Sequence, residues 1–170
     1  MAKMKFAVVA LTSGILALSG EFARCASLTT GPLDPATHDS IEGGVRQMMS
    51  RIPSDLSRYG PTAWLRYFDD DPRFLMAADG KLQFDGIASA RSFLSTFSKS
   101  ISHVELAWTS VKVDPLEPGM ASVAASYSEV LTDTQGHANR PHGYFTGLVL
   151  QTPMGWKLRW AHWSSLPATN

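Results

Sequence analysis

Most of the side chains able to do chemistry sit on segments that alternate like strands. Residues 155–164 read Gly-Trp-Lys-Leu-Arg-Trp-Ala-His-Trp-Ser. Strand side chains alternate between two faces, so Trp156, Leu158, Trp160, His162 and Ser164 share one face. Lys157, Arg159, Ala161 and Trp163 share the other. An aromatic face with one imidazole suits the wall of an apolar cavity with a single polar handle. Imidazole titrates near neutral pH, so His162 can serve as acid, base or ligand-orienting group. Tyr127 and Glu129 share a face of the segment 120–131. A three- or five-residue turn after it places both inside with Phe145. An even turn places them outside, with Glu129 across from Arg140. His103 and Glu105 also share a strand face, a pairing that fits proton transfer or metal ligation. A metal would need a third ligand from His137, His142 or His162, and no spacing imposes one. The expectation is therefore no metal and no cofactor. Asp69-Asp70-Asp71-Pro72 reads as a solvated turn rather than an acid cluster.

The elements that must position these groups follow from periodicity. Ile41, Val45, Met48, Ile52 and Leu56 form one helical stripe, starting at Asp39 or Ser40 and weakened at Pro53. A short helix opening at Pro61 presents Trp64, Leu65 and Phe68. A hairpin over 73–84 turns at Asp79-Gly80, and a third helix runs from Ile87 to Ser98. Long strands then follow. The first, 101–113, slips its alternation near Thr109-Ser110, the mark of a bulge. In the last hairpin, paired residue numbers sum to 307, which sets Phe145 against His162 and Gly147 against Trp160. Tyr144, Thr146, Leu148 and Leu150 then make the outer face apolar, as a covered surface would be.

Bulk properties narrow the class. Lys3 and Lys5 precede an uncharged run from Phe6 to Leu18 and then small residues, the pattern of a secretory signal peptide. The run is too short to span a bilayer, which takes roughly 20 residues. The expected organisation is a signal peptide over 1–26, a flexible lead-in over 27–38, one domain over 39–165 and a tail over 166–170. Cleavage beyond Cys25 leaves no cysteine, which removes thiol chemistry and disulfides and suits a bacterial periplasm or exterior. The remaining 12 basic and 14 acidic residues form no basic stripe, which argues against nucleic-acid binding. No membrane span is expected in the mature chain.

The order of these pieces resembles the nuclear transport factor 2-like superfamily, its SnoaL-like branch in particular. Trp64 to Asp71, Phe84-Asp85-Gly86, Gly143 to Leu150 and Gly155 to Ser164 carry the likeness. The resemblance implies a cone-shaped α+β domain, a curved antiparallel sheet covered by three N-terminal helices, with a pocket between them and a homodimer through the outer sheet face. Steroid-isomerase-like members place a carboxylate base on the hairpin strand and a tyrosine on the first helix. Here those positions fall near Leu75 to Ala77 and at Arg51 or Ile52, so neither role is filled. The leading expectation is a small apolar or aromatic ligand lined by Trp64, Tyr67, His103, Tyr127, Phe145, Trp160 and His162. The alternatives are an enzyme using His162 with Glu105 or Glu129, and a dimeric assembly module.

Overall fold

A computed structural model describes residues 31–166. The expected signal peptide, Cys25, the start of the lead-in and residues 167–170 of the tail lie outside the described residues. The first helix, α1 (Pro35–Tyr59), starts earlier than its apolar stripe suggests. Asp34 caps it by accepting the Thr37 N–H at 3.0 Å, and Pro35 follows in the first turn. An aspartate cap before a proline is a stronger start than Asp39 or Ser40, since that proline has no N–H to leave unpaired. Ile41, Val45, Met48, Met49, Ile52 and Leu56 are its buried face.

The helix runs straight through Pro53. Proline has no N–H to give the carbonyl four residues back, here that of Met49. The indole N–H of Trp108 donates to that carbonyl at 3.0 Å. A side chain from the sheet thus satisfies the acceptor that Pro53 strands.

A 3₁₀ helix (Pro61–Arg66) follows a turn at Gly60. The hairpin β1 (Leu75–Ala78) and β2 (Lys81–Asp85) leads into α2 (Ile87–Phe97). The strands β3 (Ile101–Glu117), β4 (Met120–Asp133), β5 (Ala138–Asn139), β6 (His142–Thr152) and β7 (Gly155–Ser165) complete the chain. The sheet order is β2-β1-β7-β6-β4-β3, with β5 paired to β4. Two corrections to the expected architecture follow. The sheet is mixed, because β1 runs parallel to β7. Among the described residues the helices are two α-helices and one 3₁₀ helix in place of three N-terminal helices, with α2 after the first hairpin, where its periodicity puts it. β3 also continues over Asp114 and Pro115, where a loop is expected from sequence, because as an edge strand it tolerates a proline without an N–H. Its bulge lies where expected, between Trp108 and Ser110.

The decisive departure is in β7. Val149 pairs Leu158, as the 307 rule requires, but Leu148 pairs Trp160. Arg159 is an extra residue, and beyond it the pairing shifts by one. A one-residue slip sends every later side chain to the opposite face. Ala161 and Trp163 therefore turn inward, and Trp160 and His162 turn outward. Thr146 pairs His162, and Gly147 pairs Ala161 with the Leu158 methyl filling the space above it.

If Trp108 serves the Met49 carbonyl, Trp108→Phe should lower stability by about 2 kcal/mol in urea unfolding. In a Pro53→Ala background, which returns an N–H to that carbonyl, the loss should shrink clearly. Equal losses in both backgrounds would contradict the pairing.

Candidate functional site

The inner faces of β4, β6 and β7 meet the helices around a core of stacked rings. Trp163 is its hub. It packs edge-on to Tyr127 at 4.6 Å and Trp64 at 5.6 Å, and lies 4.8 Å from Phe145 and 5.7 Å from Trp108. Beside it is a cavity of about 290 Å³. Trp64, Phe68, Phe84, Phe93, Leu94 and Val104 supply much of the apolar wall. Tyr127, Glu129, Asp79 and Ser165 supply the polar side.

The β4–β6 register brings Tyr127 and Glu129 inside. Asp133 bonds His137 around a three-residue turn, and Ala125 pairs Phe145. This is the odd-length turn that puts them on the Phe145 face. Tyr127 is buried, with Gly143 opposite it and Ser165 opposite Gly143. Because Gly143 has no side chain, the Tyr127 hydroxyl reaches across to Ser165 Oγ at 3.0 Å. A Cβ at Gly143 would collide with the Ser164 carbonyl. Ser165 in turn bonds Asp79, its N–H at 2.7 Å to Oδ1 and its hydroxyl at 3.2 Å to Oδ2. Asp79 occupies the hairpin turn with a φ of 48°, a left-handed conformation that aspartate tolerates better than most residues.

Glu129 faces the cavity with no hydrogen bond to its side chain among the described residues. Burial pushes its carboxyl from 4.5 up to about 7. Burial also raises Tyr127, helped by the charges of Glu129 and Asp79. A carboxyl that is neutral at pH 6 and ionised at pH 8, set in an apolar chamber, can donate a hydrogen bond, accept one or move a proton.

Other expected site residues lie elsewhere. Trp160 is 52 % exposed and His162 is exposed on the outer face, both turned out by the Arg159 bulge. His103 and Glu105 bond each other at 3.0 Å in solvent, because Val104 and Leu106 take the buried face of β3. Tyr67 is buried, but beside a separate groove between α1 and β7. Phe68 bridges Leu158, with Tyr67 and Asp69 bonded to the Leu158 backbone on either side, and of these three Phe68 lines the cavity. The Tyr67 hydroxyl donates to Asp55 at 2.8 Å, and burial with that bond raises its pKa to about 12. Among the described residues no three His, Cys, Asp or Glu side chains group as a metal site, and no helix is long and apolar enough to cross a membrane.

Trp163, Phe84, Asp79 and Ser165 were not expected in the site. For Trp163 a signal existed: the strand face Lys157, Arg159, Ala161, Trp163 changes from charged to apolar midway, as a face swapped by a bulge would.

Helices laid on the inner face of a curved, unclosed sheet, with a cavity between, define the nuclear transport factor 2-like fold. Solved structures bear this out. A nuclear transport factor 2-like superfamily protein from Salmonella enterica serovar Typhimurium matches with TM-score 0.65 at 14 % identity, over 78 % of this chain and 95 % of that one. A proposed scytalone dehydratase from Novosphingobium aromaticivorans matches with TM-score 0.69 at 13 % identity, over 78 % and 88 %. A proposed aromatic ring hydroxylase from the same organism matches with TM-score 0.63 at 21 % identity, over 76 % and 92 %. No family model and no curated protein matches the chain.

Glu129 gives the fold a pH dependence. The folded chain holds a proton that the unfolded chain loses between pH 4.5 and about 7. The contribution of Glu129 to stability should be highest below pH 4.5, fall across that window by about 3 kcal/mol and level off above it. Glu129→Gln should remove the fall. A variant with the same pH profile as the parent would show that Glu129 is not held in an apolar site.

Proposed function

We propose that this is a SnoaL-like ligand-binding domain whose cone-shaped interior takes a small, mainly aromatic molecule. The observation that carries this is the cavity beside Trp163, walled by rings and holding a single unbonded carboxyl. Such a chamber favours flat apolar molecules, through area removed from water and edge or face contacts with the rings. One solved structure of the same fold is described as a proposed aromatic ring hydroxylase, which agrees with that ligand class.

A second reading is proton transfer on the bound molecule by Glu129. It is favoured by that carboxyl's ionisation near neutral pH inside an apolar wall. In this reading Glu129 takes the acid/base role expected of His162, since His162 and Glu105 stand outside the cavity.

Uncharged one- and two-ring aromatics should raise the melting temperature and quench Trp163 fluorescence. Ala78→Phe, which fills the cavity from β1, should abolish both effects while the protein stays folded. A panel with no binder, or unchanged binding in the filled variant, would reject the ligand site. Turnover of a binder that vanishes in Glu129→Gln with binding retained would establish the second reading.

We also propose export and dimerisation. The basic start and short apolar run before Cys25 support export. The outer sheet face supports a dimer, with Tyr144 and Trp160 both large, apolar and exposed. Trp163, expected on that face, is replaced there by Trp160. Expressed in a bacterium, the full chain should be recovered from the periplasm without about its first 26 residues, and native mass spectrometry should give a dimer that Trp160→Glu splits. An intact cytoplasmic monomer would reject both.

A further inference from the structure

We propose that the cavity selects aromatic molecules that carry a hydroxyl, over the hydrocarbon or the ketone of the same frame. This deepens the ligand-binding reading above and rests on it. The hydrogen bonds on the polar side of the cavity run in one direction. A hydroxyl has one hydrogen to give. The Asp79 carboxylate, already accepting the Ser165 N–H at 2.7 Å, takes the hydrogen of the Ser165 hydroxyl at 3.2 Å. Ser165 Oγ can then only accept from Tyr127, so the Tyr127 hydroxyl donates to it at 3.0 Å. The phenol oxygen is left offering lone pairs, and no hydrogen, to a ligand.

Glu129 stands two residues along the same face of β4. When ionised it too can only accept. When neutral it adds one O–H donor. Gln83, another polar side chain on the wall, is exposed to solvent. The titratable groups facing Glu129 are Tyr127 on its own strand and Asp79 in the β1–β2 turn. The wall residues from α1, the 3₁₀ helix, β1, β2, α2, β3 and β7 carry no charge, and neither do Phe68 and Pro141. A ligand hydroxyl can therefore give its hydrogen to Tyr127 or to Glu129 at any pH. A ketone finds a donor in this pair only while Glu129 is protonated, and burial places that ionisation near 7. A bare hydrocarbon leaves both groups without a partner, which costs binding.

The test is calorimetric titration of the full chain with indane, 1-indanol and 1-indanone at about pH 5.5 and 8.5, either side of the Glu129 ionisation. The alcohol should bind about fivefold more tightly than indane at both pH values. The ketone should exceed indane at the lower pH and fall level with it at the higher. Ser165→Ala releases the Tyr127 hydrogen, so the ketone should regain its advantage at the higher pH. Tyr127→Phe should shrink the advantage of the alcohol, and provides a second variant if Ser165→Ala does not fold. Equal affinity for all three compounds, or a ketone tighter than the alcohol at the higher pH in the parent protein, would overturn the inference and leave the ligand site standing. Absence of binding by all three to the folded parent would overturn the ligand site itself, and the inference with it.

Discussion

The inner surface of this protein depends on one extra residue in its last strand. At Leu158, β7 makes a single parallel bridge to Phe68. From Trp160 it pairs with β1, parallel and at a new register. Arg159 occupies the step between the two neighbours and is tied down there by Asp69 at 2.7 Å and Asp71 at 3.2 Å. Both ends of the Asp69 pair are nearly enclosed. A charge left alone in such a place is costly, so the three side chains hold one another in position. The consequence for the cavity is direct. The bulge turns Trp163 inward, where it meets rings from the 3₁₀ helix, β3, β4 and β6, and turns the imidazole of His162 out to water. Without the extra residue His162 would join the polar groups of the chamber. With it, that side keeps Glu129 and Tyr127, which the β4–β6 register places there.

The packing between α1 and the sheet shows a similar economy. Trp108 gives its indole face to Phe145 and Trp163 and its N–H to the carbonyl that Pro53 leaves unpaired. The helix thereby crosses the sheet without a break. Gly44 serves the same contact from another side, since a methyl there would strike the Trp156 indole. Helix and sheet are held together here by contacts that each answer a local demand of the backbone.

The polar side of the cavity draws on distant parts of the chain. Tyr127 lies on β4, Gly143 on β6, Ser165 at the end of β7 and Asp79 in the first hairpin turn. Only the sheet register brings them into line. Glu129 is different, because neighbouring side chains leave it unbonded. A half-buried carboxyl without a hydrogen-bond partner weakens the fold once ionised.

The amino-acid sequence by itself determined a good deal. Helical stripes, the Asp79-Gly80 turn, the β3 bulge and the order of elements were all legible, because these depend on local periodicity and turn chemistry. That order was enough to point to the fold. Trp64 and Phe145 were legible as inward-facing candidates, and Tyr127 and Glu129 once the turn length was known. The bulge at Arg159 was not, and with it went the facing of Trp160, His162 and Trp163. The extra residue answers a change of neighbour in the sheet and a charge partner some 90 positions away in the chain, and neither is written in local alternation. Tertiary structure alone therefore decided which ring floors the cavity and which acid faces it, because strand register is settled by the partners a strand finds.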